Sequence, residues 1–228
     1  MKKYLFGLKL KSSYSIFEVV RLAQGIFLSQ RKFVLDLLVK FEFLDCKPAN
    51  TPIVQNHRFG KSLNPKPANR KSYQRLVSKV IYLFHAHPNI AYAVSAISRF
   101  MHSPSNRHMK AMMWIFRYLK GSTEKGLLSS KNNHLNIDGY IDADWAGDLT
   151  TRRSILGYFT FVGCNLIIWR NKKQKVVALS SVETKFRGMP KGVCEVLWLK
   201  KLITDIDFTP KSEMNLFCDN RVVVDISI

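Results

Sequence analysis

Three aspartates fall within eight residues at "IDADWAGD", positions 141 to 148, in a chain with 16 acidic residues against 36 lysines and arginines. Carboxylate oxygens are the ligands that hard cations such as magnesium take. Asp148 beside Gly147 is also turn chemistry, and taken alone the cluster reads as a solvated turn. Further along stand Glu183 and Lys185 in "SSVETKF" and Asp219 in "LFCDN". "RNKKQK", residues 170 to 175, offers Arg170, Lys172, Lys173 and Lys175 either to the phosphates of a nucleic acid or to solvent on a turn. His85 and His87 lie two apart on a helical stretch and face different ways, while His102 and His108 straddle a proline. Helix-end caps or surface contacts suit all four better than metal ligation. Cys46, Cys164, Cys194 and Cys218 are scattered without a CxxC pair, which argues against a zinc site or a disulfide framework and for core thiols in a reducing compartment. Met109, Met112 and Met113 with Trp114 and Phe116 read as core packing.

Around these residues the composition is that of a globular protein: 228 residues, 46% hydrophobic and 23% charged. The formal charge of +20 is not ordinary. It points to polyanionic partners, nucleic acid before membrane, because no cationic amphipathic segment dominates. Residues 1 to 133 contain 23 Lys and Arg against 5 Asp and Glu, whereas residues 134 to 228 contain 13 against 11. The two parts therefore differ in kind. "MKKYLFGLKLKSS" is too short in its apolar stretch for a signal peptide and no later run approaches membrane-spanning length, so a soluble intracellular protein, cytoplasmic or nuclear, is expected.

The elements that must position these residues change along the chain. In the first part, Phe33, Leu37, Leu38 and Phe41 share a helix face that Pro48 and Pro52 bring to an end. Residues 53 to 71 read as a basic, proline-bearing linker or loop. Three helical stretches follow, "SYQRLVSKVIYLFHA", "NIAYAVSAISRFMH" with Ile90, Val94, Ile97 and Met101 on one stripe, and "NRHMKAMMWIFRYLKG", whose Gly121 marks a helix end. The second part is rich in Ile, Tyr, Phe, Trp and Val between glycines and asparagines, which predicts three hairpin-connected strands, then a helix over 181 to 205, a fourth strand at "EMNLFCDN" and the start of another helix at "RVVVDISI". The expected class is α/β, with a mostly helical segment over 1–133 and, over 134–228, a mixed sheet with flanking helices.

In this order, "YIDADWAGD", "RRSILGYFTFVGCNLIIWRNKKQKVVALSSVE", "LWLKKL" and "LFCDN" resemble the ribonuclease H domain of copia-type retrotransposon Pol polyproteins. Upstream, "GIFLSQRKFVLDLL", "CKPANTP", "YQRLVSKVIYLFHAHPNIAYAVSAISRFMHSP" and "FRYLKG" are similar to the C-terminal end of the reverse transcriptase that precedes it there. The resemblance runs from about residue 16 onward, and residues 1 to 15 fit it poorly. It implies an incomplete ribonuclease H-like sheet acting on RNA–DNA hybrid or duplex, Mg2+ as cofactor, and the rest of Pol as a partner. Such enzymes cut the RNA strand with two divalent cations held by four carboxylates. The resemblance places Asp142 and Asp219 among those ligands, both catalytic and metal-binding, and gives Asp144 to the turn.

Two of the four ligands depart from the pattern. The family's second helix glutamate is replaced by Lys185. Glu183, two residues earlier, is rotated by ~200° about a helix axis and points away from the same metals. The fourth ligand belongs to a region beyond Arg221 that Asp225 does not match. Weak magnesium binding and no cleavage are therefore expected. Without a Tyr-x-Asp-Asp motif, or any Asp-Asp pair, polymerase chemistry is excluded from this segment. Gly188, Pro190 and Gly192 within the predicted helix cost together ~5 kcal/mol of propensity. That predicts a kink at Pro190 or a start near Val193, with packing through Val193, Val196, Leu197 and Leu199. A hybrid ribonuclease by descent, a non-catalytic basic nucleic-acid-binding remnant and a decayed element that does not fold stably are the three functional expectations.

Overall fold

A computed structural model of the chain describes residues 17–54, 57, 59, 66–148, 150–208, 210 and 213–219. The stretches expected to be a poorly matching start, residues 1 to 15, and a terminal helix, residues 221 to 228, lie outside the described residues. The chain divides into two compact units, Met1–Ser129 and Ser130–Ile228.

In the first unit, β1 (Glu18–Leu22) and β2 (Gly25–Ser29) form an antiparallel hairpin closed between Leu22 and Gly25. A third strand, β3 (Leu127–Ser130), extends the sheet in the order β1-β2-β3. Helix α1 (Arg31–Lys40) follows at once, its first-turn Lys32 N–H donating to Glu18 Oε1 at 3.0 Å. The carboxylate there satisfies one of the orphan donors that every helix start leaves. Helix α2 (Arg70–Leu83) opens on Asn69, whose side chain accepts from Ser72 N–H at 2.9 Å. A short 3-10 turn at Pro88–Ile90 leads into α3 (Ala91–Ser98). Helix α4 (Asn106–Lys120) starts with Ser105 and His108 joined in a reciprocal cap, the Ser105 N–H donating to His108 Nδ1 at 3.0 Å, and ends at Gly121.

The core of this unit joins Val34, Leu37 and Leu38 of α1, Tyr73, Val77 and Val80 of α2, Ile90 and Ile97, and Met112, Ile115, Phe116 and Leu119 of α4. Tyr73 carries its hydroxyl into that core and donates it to Ile97 O at 2.7 Å, so its polar end is not left unpaired. Two expectations need correction. Residues 70 and 71 are not loop: Arg70 begins α2, and just ahead of it Pro67 makes an isolated bridge to Ser105. Of the methionine-aromatic group on α4, Met112 and Phe116 are buried, but Met113 is exposed and Trp114 stands part-exposed on the other side of the helix. Rotation of ~100° per residue separates them.

The second unit is a four-stranded mixed sheet in the order β6-β5-β4-β7. Its strands are β4 (Ile137–Asp148), β5 (Arg153–Val162), β6 (Asn165–Lys173) and β7 (Asn215–Cys218). The first three are antiparallel neighbours, and β7 lies parallel to β4 with Ile141 opposite Cys218. The crossover between the parallel pair is α5 (Ser181–Asp205). Period-2 alternation turns Ile137, Ile141 and Ala143 of β4 inward while Tyr140, Asp142 and Asp144 face out.

Helix α5 is continuous from Ser181 to Asp205 with Pro190 inside it, contrary to the expected late start near Val193. Its buried line is Thr184, Gly188, Gly192, Val196, Leu199 and Ile203, and Val193 and Leu197 are exposed. The glycines are the reason the helix fits. A Cβ on Gly188 would lie 2.7 Å from Leu156 Cδ1, and one on Gly192 would lie 3.1 Å from Ile141 Cδ1. Gly139 on the facing strand is as tight: a Cβ there would lie 2.9 Å from Val196 Cγ2 and from Leu216 Cδ1. Glycine's usual cost in a helix is here offset by the close helix–sheet packing it permits.

Candidate functional site

Two parallel strands joined by a helix leave their carboxyl ends and the helix start at one edge of the sheet, the usual place for a site in an α/β unit. Asp142 is on the outward face of β4 near that edge. The β4–β7 register pairs Ile141 with Cys218, so Asp219 emerges next to Asp142. Ser180 caps α5, accepting from Glu183 N–H at 3.1 Å, and this fixes the first turn, just after which Lys185 reaches out. The three side chains meet. The Lys185 ammonium is hydrogen-bonded to Asp219 Oδ1 and lies 3.7 Å from Asp142 Oδ1.

The burial is uneven in a way that matters. Lys185 retains 14% of its side-chain exposure, against 73% for Asp142 and 62% for Asp219. Burial opposes charge on Lys185, but the hydrogen bond to Asp219 and the charges of Asp219 and Asp142 outweigh it and raise its pKa above the ordinary lysine value. The ammonium is thus fixed at the place where the two carboxylates converge. Among the described residues no third His, Cys, Asp or Glu joins them in a metal-sized group. This set does not fit the divalent cation that the sequence resemblance implies, because its two carboxylates already share a resident cation.

The neighbouring acids have other work. Glu183 accepts from Leu179 N–H at 2.6 Å and from Arg187 Nε at 2.7 Å, so it belongs to the start of the helix. Asp144 packs so closely over Gly147 that a Cβ there would stand 2.6 Å from its Oδ2. The ladder register shifts between Asp144 and Asp148, and Ala146 takes a φ of 53° at the irregularity. Asp148 accepts from Lys173 Nζ at 3.0 Å and from the N–H groups of Thr150 and Thr151 at 2.9 and 3.2 Å. Burial works against its charge, yet the Lys173 ammonium and the two N–H donors hold its carboxyl down at about 2.

At the start of α5 runs a polar connection, buried at Ser154, Gln174 and Thr184, that no local sequence signal announces. Ser154 Oγ and Thr184 Oγ1 lie 2.9 Å apart, Gln174 Nε2 donates to Thr184 O at 2.9 Å, and Trp145 Nε1 donates to Ala178 O at 2.9 Å. Together they tie the end of β4, the start of β5 and the first turn of α5. The four cations of "RNKKQK" separate into two kinds. Lys173 is engaged by Asp148, and Arg170 lies 3.9 Å from Glu195 on α5. Lys172 and Lys175 are exposed. They are joined by Lys191 of α5, whose pKa is lowered by burial and then by the charges of Lys172 and Lys175. No helix among the described residues is long and apolar enough to cross a membrane.

Comparison with known proteins adds relatives to this geometry. The chain is 35% identical over 203 residues to the retrovirus-related Pol polyprotein from transposon RE1 of Arabidopsis thaliana, covering 89% of this chain and 14% of that protein. It is 34% identical over 215 residues to the corresponding polyprotein from transposon TNT 1-94 of Nicotiana tabacum, 91% of this chain and 16% of that one. An uncharacterized mitochondrial protein of Arabidopsis thaliana is 36% identical over 197 residues, 86% of this chain and 77% of its own length. The chain thus spans 14% to 16% of the polyproteins it matches. No family model matches it and no solved structure matches it.

Proposed function

This chain belongs to the retrovirus-related Pol polyproteins of copia-type transposons, and from that premise we propose that it is a reverse transcriptase–ribonuclease H segment that binds nucleic acid without cutting it. The observation that carries this reading is the Lys185 ammonium held between Asp142 and Asp219. A divalent cation brought to ~4 Å of an ammonium is repelled by roughly 2 to 8 kcal/mol for effective dielectrics between bulk water and a protein surface. Lys185 is largely enclosed and hydrogen-bonded, so moving it aside costs the pair as well. Two-metal hydrolysis needs both cations at full occupancy. With a resident ammonium the aspartates serve as the anchor of a helix start. Charge supports the binding half of the proposal: residues 1 to 133 hold 23 basic against 5 acidic side chains, a composition that favours polyanions.

The test is a fluorescent RNA–DNA hybrid cleavage assay on the purified chain in magnesium, beside Lys185→Glu, with Mn2+ binding to both followed by electron paramagnetic resonance. The unchanged chain is expected to bind hybrid at low salt, to leave it intact and to take up no Mn2+ at this site. Lys185→Glu is expected to gain Mn2+ affinity by at least tenfold, since repulsion gives way to attraction. Magnesium-dependent cutting by the unchanged chain would sink the proposal.

A further inference from the structure

Arg107, Lys110, Trp114 and Arg117 follow one another at spacings of three, four and three on α4. Those spacings put all four on one face, while Met112, Ile115, Phe116 and Leu119 fill the core on the other. Residues 46 to 53 run alongside as a strap held at three points. Lys120 Nζ donates to Cys46 O at 2.6 Å, Ala49 N–H donates to Arg117 O at 3.2 Å, and Trp114 Nε1 donates to Thr51 O at 2.9 Å. Pro48 closes against Gly121, where a Cβ would come within 3.3 Å. This strap is the "CKPANTP" motif, for which the site of the second unit has no use.

The result is an indole whose edge is tied down and whose ring borders two cavities. One, of about 370 Å³, lies toward Lys47, Pro48, Thr51 and Arg117. The other, of about 250 Å³, lies toward Ile53, Arg107, Lys110 and Ala111 and is mostly apolar. Among the described residues lining either cavity there are four cations and no aspartate or glutamate. A fixed aromatic ring flanked by cations over ~15 Å of helix is suited to a ligand that alternates flat apolar groups with negative charges. Unpaired nucleotides have that character. A base in a duplex keeps its faces in its own stack, whereas a single strand offers them to an aromatic platform.

We propose that this face of α4 and its strap form a docking site for single-stranded nucleic acid, one base stacked on Trp114 and neighbouring phosphates taken by Lys47, Arg107, Lys110 and Arg117. It rests on the nucleic-acid-binding reading above and gives that reading a place. The anchored indole loses little freedom on binding, which is how a small platform contributes to affinity.

Fluorescence anisotropy of the full chain with a labelled 12-nucleotide single strand, and with its duplex, tests it. Trp114→Leu is compared with Lys110→Gln/Arg117→Gln and with Lys172→Gln/Lys175→Gln, and each variant's melting temperature is recorded by circular dichroism. Trp114→Leu is expected to weaken single-strand binding roughly five- to a hundredfold, with little change for the duplex. The exposed-cation pair Lys110→Gln/Arg117→Gln is expected to make the plot of log affinity against log salt shallower by about 1.4, two phosphate contacts at about 0.7 each. The Lys172/Lys175 variant should leave single-strand affinity within twofold. A folded Trp114→Leu that binds single strands like the parent overturns the proposal, and so does an unchanged salt slope in the Lys110/Arg117 variant. Failure of the unchanged chain to bind any polynucleotide would overturn the underlying reading as well.

Discussion

His87 is enclosed at the start of the turn before α3, and its Nε2 finds no hydrogen-bond partner among the described residues. Burial lowers its pKa from 6.5 to about 4. The unfolded chain therefore takes up a proton below pH 6.5 that the folded chain refuses until about pH 4. Stability is complete above 6.5, falls through that window by about 3 kcal/mol and stops falling on this account below it. Asp148 acts in the next window: its carboxyl is held at about 2, so its contribution is present above pH 4 and lost as pH falls toward 2. Urea unfolding at pH 7.5, 5.5 and 4.5 should show the first loss, and His87→Leu should flatten it. His57 and His108 also have pKa values lowered by burial, so the variant reads only the His87 share. An unchanged slope in His87→Leu would put the acid sensitivity elsewhere. Neither effect was legible in the sequence, where His87 suited a cap or a surface contact. Which residue a charge meets depends on register: Lys173 finds Asp148, 25 positions away, only because β4, β5 and β6 align as they do.

Helix α5 shows why local propensity and the observed element disagree. The sequence supplies its extent, 181 to 205. Summing glycine and proline costs suggested damage, because those scales describe a helix exposed to solvent. Gly188 and Gly192 instead sit against Leu156 and Ile141, in a contact no local signal records. Gly188→Ala should gain ~1 kcal/mol of propensity yet lose more to overpacking against a fully buried leucine, about 1 to 3 kcal/mol. Pro190 is different, since it is exposed and costs the helix both a backbone hydrogen bond and a ring clash with the carbonyl four residues back. Pro190→Ala should therefore stabilise, by about 1 to 3 kcal/mol. Denaturant midpoints of both variants measure the pair, and a stabilising Gly188→Ala would refute the close-approach account. The β1–β2 hairpin is hidden in the sequence for a related reason. "EVVRLAQGIFLS" carries a five-residue strand on each side of a two-residue turn, but the helical pattern that follows dominated the first part of the chain.

At the scale of the whole molecule, the uneven charge raises a choice between attraction spread over a surface and attraction concentrated at a site. The sequence showed the excess over residues 1 to 133 but could not place it, because charges far apart in the chain converge only after folding. The strap brings Lys47 to the same cavity as Arg117 of α4, 70 residues away in sequence. A site of four phosphate contacts gives a log–log salt slope near −3 for a single strand, about a fiftyfold loss of affinity between 50 and 200 mM salt. A contribution from most of the 23 cations would give a slope several times steeper. We expect the shallower value, measured by anisotropy at four salt concentrations. A slope beyond about −8 would mean that the first unit holds nucleic acid by diffuse charge. Trp114 would then be one more half-exposed aromatic rather than the point on which a strand is held.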